Sequence, residues 1–199
     1  MIEIFSVIVL ILSATIHEYM HGFVADQLGD PTAKNAGRLT LNPIKHLDPI
    51  GSVILPFILV ITGSPFVFGW AKPVPYNPNN LNDRKYGDAK VAAAGPLANL
   101  SMAIIFSIMF RFLDPLSMFA QLVSVIIVVN LVLMIFNLVP IPPLDGSKIL
   151  ATFLPSKLGM KLMYMDARLS MLLVFIFIFF GYGLIWPVVY WLFRLFTGV

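Results

Sequence analysis

The sequence predicts an all-α integral membrane protein: about four full transmembrane helices, one re-entrant or membrane-associated segment and short β-hairpin elements. Three observations predict it. Only 12% of the 199 residues are charged, about half the share of an ordinary soluble domain. The mean hydropathy is +0.90 and 59% of residues are hydrophobic. The apolar residues gather in runs long enough to cross a hydrocarbon layer of ~30 Å, and the bases lie in the polar segments between them. No cysteine is present, so a disulfide framework and a thiolate metal site are excluded. The net charge of +3 is not gathered into a stripe, which argues against nucleic acid as a partner.

The first span is expected over residues 2–27. Its n-region holds Glu3 and no base, so it reads as a retained helix rather than a cleaved signal. A polar loop follows with turn residues at Gly29-Asp30-Pro31 and Asn42-Pro43, and Gly37-Arg38-Leu39-Thr40-Leu41 alternates like a short strand. Residues 50–66 are apolar but short and contain Pro56, which fits a re-entrant segment, with Asp48 as the cap of a helix from Pro49. A Pro- and Asn-rich stretch over 69–88 reads as extended chain. Spans over 89–112 and 117–139 follow, with Gly95-Pro96 read as the start of a helix over 97–112. The prolines 140, 142 and 143 then break the helix. A short helix around 147–165 and a last span over 168–196 complete a single domain, 1–199, whose core lies in about the first 150 residues.

Chemistry enters at His17-Glu18-Tyr19-Met20-His21. Histidines at i and i+4 share one helix face, the spacing at which one helix supplies two ligands to a zinc ion. The neighbouring Glu18 stands beside them and can take a proton from a metal-bound water. Ionisable groups inside a span default to function because burying them without partners is costly. A catalytic zinc needs a third protein ligand. Glu3 is the one other glutamate and sits about four turns away on the same helix. The remaining candidates are His46 and Asp145, and the proline-rich turn before Asp145, followed by Gly146, looks built to aim one carboxylate.

These residues resemble the site-2 proteases, zinc metalloproteases that cut transmembrane segments within the bilayer. The resemblance rests on His17-Glu18-Tyr19-Met20-His21 together with Asn137-Leu-Val-Pro-Ile-Pro-Pro-Leu-Asp145-Gly146, and on Gly95-Pro96-Leu-Ala-Asn99 and the segments around Asp30 and His46. It covers about residues 13–150 and points to a compact member without PDZ or CBS modules. It implies one zinc ion held by His17, His21 and Asp145, with Glu18 as catalytic base. Asn137 and Asn99 are candidates to bind substrate backbone or a developing oxyanion. Asn130 reads as an interhelical hydrogen-bonding residue, and His46 as a gating group or one standing behind the ligands.

For Asp145 to meet His21, the span 117–139 must end on the side where the first span ends, so 50–66 cannot cross fully. Charge agrees: Lys34, Arg38, Lys45, Lys72, Arg84, Lys85, Lys90, Lys148, Lys157, Lys161 and Arg168 fall on that side, eleven of the thirteen bases. The positive-inside rule makes it cytoplasmic. The expected protein is a multi-pass component of a prokaryotic plasma membrane with both termini outside and its site nearer the cytoplasmic face. The expected partners are a single-span membrane-protein substrate, the lipid bilayer, and a regulatory membrane protein or a second copy of the chain. The alternative is a metal transporter or sensor built on the same ligands; the outer halves of the spans, nearly free of charge, argue against it.

Overall fold

The computed structural model describes residues 2–54, 57–58, 61–62 and 71–199. An apolar run without proline gives α1 (Ile2–Gln27), followed by a single turn, α2 (Thr32–Asn35). One-turn 3-10 helices at Pro43–Lys45 and Pro78–Asn80 each follow an asparagine whose side chain accepts the N–H two residues on. Pro49–Ile54 forms a π-helical turn. As expected, Asp48 caps it: its Oδ1 accepts the N–H groups of Ile50 and Gly51 at 3.0 and 2.7 Å. The remaining helices are α3 (Gly87–Phe110), α4 (Met118–Asn137), α5 (Asp145–Phe153), α6 (Ser156–Met163), α7 (Ala167–Phe180) and α8 (Tyr182–Thr197).

α3 is the central element, packed against α1, α4, α5 and α8. Its buried positions include Ala92, Gly95, Pro96, Asn99, Ala103 and Ser107, a stripe of small side chains at helical spacing. In lipid, apolar side chains gain little by leaving one apolar solvent for another, so helices associate where small residues let backbones approach. The α3–α4–α8 contact is apolar, with Ala103, Phe110, Val123, Ile127, Leu131 and Val189 buried together. At the far end of the bundle Arg111 donates to the carbonyls of Phe196 and Leu195, satisfying acceptors that the end of α8 leaves open.

Three helices, α1, α3 and α4, are long and apolar enough to cross a membrane, and the bent pair α6–α7, at 81° to each other, gives up to a fourth. Several expectations change. Gly95-Pro96 does not start a helix; α3 begins eight residues earlier, at Gly87, and carries Pro96 in its interior. The helix expected over 147–165 breaks at Leu154-Pro155 into α5 and α6, because Pro155 offers no N–H to continue the ladder. The last span is interrupted at Gly181.

No strand forms among the described residues, and the alternating segment after Gly37 is not half of a hairpin. Its backbone groups are engaged locally: Arg38 N–H donates to Ala33, Thr40 N–H to Arg38, and Thr40 C=O accepts from the His46 ring. The one β-type pairing among the described residues is an antiparallel bridge between Leu47 and Ala71. The expected re-entrant course of 50–66 falls in part on residues outside those described.

Candidate metal centre

α1 and α3 run antiparallel, which the side-chain pairings along them make explicit. Ser13 and His17 of α1 meet Asn99 of α3, and one turn further His21 meets Val91. α4 runs alongside α1, with Asn130 beside Ser13, so α4 ends where α1 ends. The chain then turns through its prolines and α5 starts with Asp145 in its first turn. That route carries one carboxylate back to the two histidines.

His17 Nε2 lies 3.1 Å and His21 Nε2 3.2 Å from the same atom, Asp145 Oδ2. All three side chains are buried. The ring nitrogens on the far sides define the tautomers. His21 Nδ1 is 2.7 Å from the Val91 carbonyl, a group that can only accept, so Nδ1 carries the proton. His17 Nδ1 is 2.6 Å from Asn99 Oδ1; the Asn99 amide nitrogen donates to Asn130 Oδ1 at 2.9 Å, which fixes the amide's orientation and makes His17 Nδ1 a donor as well. With Nδ1 the donor on each ring, the neutral form of either aims an Nε2 lone pair at the same carboxylate oxygen. In that form three acceptors converge in a buried space, an arrangement that a cation among them satisfies.

The helix opposite leaves room for that cation. A Cβ built on Gly95 would stand 2.5 Å from His17 Nε2 and 2.6 Å from His21 Nε2, so the glycine is what keeps the space clear. Glu18 joins the group: one ligand atom each from His17, Glu18 and His21 lie within 4.8 Å of one another. Two imidazole nitrogens and one carboxylate, with a further position open, suit a divalent ion of tetrahedral preference. Glu18 is half-buried, and its Oε2 accepts the Val74 backbone N–H at 2.8 Å.

The other sequence candidates fall in different places. Asn99 is fully buried and its amide is engaged on both sides, by His17 and by Asn130; Asn130 in turn donates to Ser13 Oγ at 3.0 Å and to the Ile126 carbonyl at 2.9 Å. Asn137 is half-buried at the end of α4 and donates to the Leu133 carbonyl of its own helix; among the described residues no hydrogen bond joins it to the cluster. His46 is buried in the loop after α2, with Nε2 2.7 Å from the Thr40 carbonyl. No hydrogen bond links it to His17, His21 or Asp145 among the described residues.

Sequence reasoning named Gly95 only as a helix start and part of a motif, and missed the space it leaves beside the histidines, the Val91 carbonyl and the Val74 amide. Gly95 lies four residues before Asn99, one turn along α3, and that spacing beside the His-x-x-x-His repeat was the available signal. Backbone groups carry no such signal.

Comparison with known proteins identifies the family. Residues 114–181, which include Asp145, match the description "Peptidase family M50". The chain is 39% identical over 193 residues to "Putative zinc metalloprotease YwhC" of Bacillus subtilis, covering 91% of this chain and 84% of that one. It is 31% identical over 195 residues to "Putative zinc metalloprotease Rip2" of Mycobacterium tuberculosis, covering 95% and 72%. It is 32% identical over 154 residues to "Putative zinc metalloprotease MJ0611" of Methanocaldococcus jannaschii, covering 73% and 72%. No solved structure matches the chain.

Proposed function

Because this chain belongs to peptidase family M50, the site-2 proteases, and is a multi-pass membrane protein, we propose that it is an intramembrane zinc metalloendopeptidase. Its substrates are the transmembrane segments of single-span membrane proteins. The observation that carries the reading is the convergence of His17 Nε2, His21 Nε2 and Asp145 Oδ2 with Glu18 beside them. These three atoms would hold one zinc ion per chain.

Zinc, when bound, supplies a Lewis acid that acidifies water and polarises the scissile carbonyl. Glu18 takes the water's proton as its oxygen adds to the carbonyl carbon, and returns that proton to the nitrogen as the C–N bond breaks. Asn99 and the Val91 carbonyl hold the two imidazoles in the tautomer that points Nε2 inward, the role that groups behind metal-bound histidines usually serve. With both sides of its amide engaged, Asn99 is a positioning residue. Asn137, whose amide oxygen has no partner among the described residues, is the candidate to bind substrate backbone.

Charge and connectivity support a site near the cytoplasmic face, where water can enter. The buried, low-dielectric surroundings of the ligands favour the reaction by strengthening each electrostatic contact.

Metal analysis of the purified protein, paired with a panel of single-span substrates, tests this. The wild type should carry about one zinc per chain and cleave at least one substrate. Glu18→Gln should keep its zinc and lose about 10²- to 10⁴-fold in rate, the range for a general base. Cleavage unaffected by Glu18→Gln would refute the mechanism, and bound metal with no cleavage of any substrate would favour a transporter or sensor.

A further inference from the structure

The segment after residue 70 crosses α1 at the base, and its contacts are unusually directed. Ala71 bridges to Leu47. The Lys72 N–H donates to the His46 carbonyl at 2.8 Å. Arg38, itself buried, places Nη2 2.8 Å from the Lys72 carbonyl and 3.4 Å from that of Pro73. The Val74 N–H then donates to Glu18 Oε2. Beyond it Tyr76 donates to Asp88 and lies under Lys148, and the Asn77 N–H donates to Asp30.

Two sequence features make the Val74 contact specific. Pro73 and Pro75 flank it and have no N–H, so Val74 offers the one amide between Lys72 and Tyr76. Glu18 and Gly22 are four residues apart on α1, hence on one face. A Cβ on Gly22 would meet Val74 Cγ1 at 2.9 Å and the Ala33 Cβ at 3.1 Å. The glycine is therefore the seat into which the Val74 side chain, almost fully buried, settles while its amide faces the carboxylate. A buried arginine needs partners for its charge and its donors, and Arg38 finds two of them in carbonyls just ahead of that amide.

We propose that residues 71–77 are a strap that aims the catalytic base: the Val74 amide fixes the Glu18 carboxylate, and Gly22 and Arg38 are positioning residues that seat the strap. This rests on the reading of Glu18 as the base. Glutamate has three freely turning side-chain bonds, and a general base must stand within hydrogen-bond reach of the proton it removes. Tying down Oε2 leaves Oε1 to face the water in a single orientation. Misplacement by about 1 Å is enough to cost on the order of 100-fold in rate, so residues remote from the substrate can matter through the strap alone.

The test uses the full chain in detergent and two readouts. The first is amide hydrogen exchange of a fragment spanning the strap, where Pro73 and Pro75 isolate the Val74 amide. The second is steady-state cleavage of whichever single-span substrate the wild type cleaves, with zinc content measured in parallel. Gly22→Ala should speed Val74 exchange and lower kcat by about tenfold, with KM and zinc unchanged. Adding Val74→Ala, which removes Cγ1 and keeps the amide, should restore both. Arg38→Gln should act in the same direction, and Arg38→Lys should fall between it and the wild type. Glu18→Ala should release the Val74 amide without loss of zinc.

The strap is overturned if Glu18→Ala leaves Val74 exchange unchanged, or if Gly22→Ala or Arg38→Gln frees that amide while kcat stays at the wild-type value. It is also overturned if the Gly22→Ala defect includes loss of zinc and persists with Val74→Ala, which would make Gly22 a packing residue only. A wild type that cleaves nothing would sink the peptidase reading instead, and the exchange arm would still decide whether the strap holds Glu18.

Discussion

A methyl group on residue 95 would lie 2.5 to 2.6 Å from the Nε2 atoms of both histidines, well inside van der Waals contact. Those atoms cannot retreat, because each ring is held from behind by its Nδ1 hydrogen bond. Gly95→Ala should therefore leave the helix intact, alanine being the better helix former, yet weaken metal binding by about 100-fold or more. Competition with a chelator measures this directly, and an alanine variant that holds zinc as the wild type does would show that the cation sits elsewhere. Asn99→Ala is milder. It frees His17 to turn and to exchange tautomers, and the expected loss of metal affinity is about 10- to 100-fold. Zinc content that is unchanged in Asn99→Ala under the same competition would remove Asn99 from the positioning role.

At the scale of elements, the turn after α1 is stapled by Asp30. Its carboxylate is buried and accepts from the Thr32 and Asn77 backbone N–H groups and from the Asn80 amide, with a further short bond from the Thr32 hydroxyl. Burial alone would raise its pKa, but these hydrogen bonds outweigh it and hold the pKa below the usual 3.8. A folded-state pKa below the unfolded one means that the stabilisation is present above about pH 4 and is lost as pH falls through the folded value. Asp30→Asn should cost on the order of 2 to 3 kcal/mol at pH 7, and its deficit against the wild type should narrow below pH 4. Thermal unfolding in detergent at pH 7 and pH 3.5 compares the two; a deficit that stays constant would mean the charge is not what the staple uses. Elements differ in how far the sequence reveals them. α1, α3 and α4 follow from unbroken apolar runs. The breaks at Pro155 and Gly181 interrupt apolar periods that continue on either side, so hydropathy hides them. Pro96 misled because proline in a first turn and proline inside a helix look alike until neighbours are known. The alternation after Gly37 misled because a strand also needs a partner, and there the backbone bonds inward.

For the molecule as a whole, the residues that converge at the candidate centre were legible and their supports were not. His17, Glu18 and His21 announce themselves by spacing on one helix, and Asp145 by the prolines that aim it. The Val91 carbonyl, the Val74 amide and the space at Gly95 belong to tertiary contacts between segments more than fifty residues apart, and no local pattern encodes them. Connectivity nevertheless links the two levels. α1 and α3 are antiparallel, shown by the pairing of His17 with Asn99 and of His21 with Val91, so the chain between them starts and ends at the same end of the bundle. It makes no net crossing. The proposed cytoplasmic-facing site rests on the eleven bases in the segments assigned to that end, against Arg111 and Arg194 at the other, read by the positive-inside rule. The absence of native cysteine makes this testable with single-cysteine variants and a membrane-impermeant maleimide. Lys45→Cys and Arg84→Cys flank the 50–66 segment, Lys157→Cys lies on α6, and Gly198→Cys follows α8. In intact cells Gly198→Cys should label and the other three should label only after permeabilisation. Labelling of Arg84→Cys but not of Lys45→Cys in intact cells would mean that the chain crosses between them, and the orientation of α3 and α4 that brings Asp145 to His21 would fail with it.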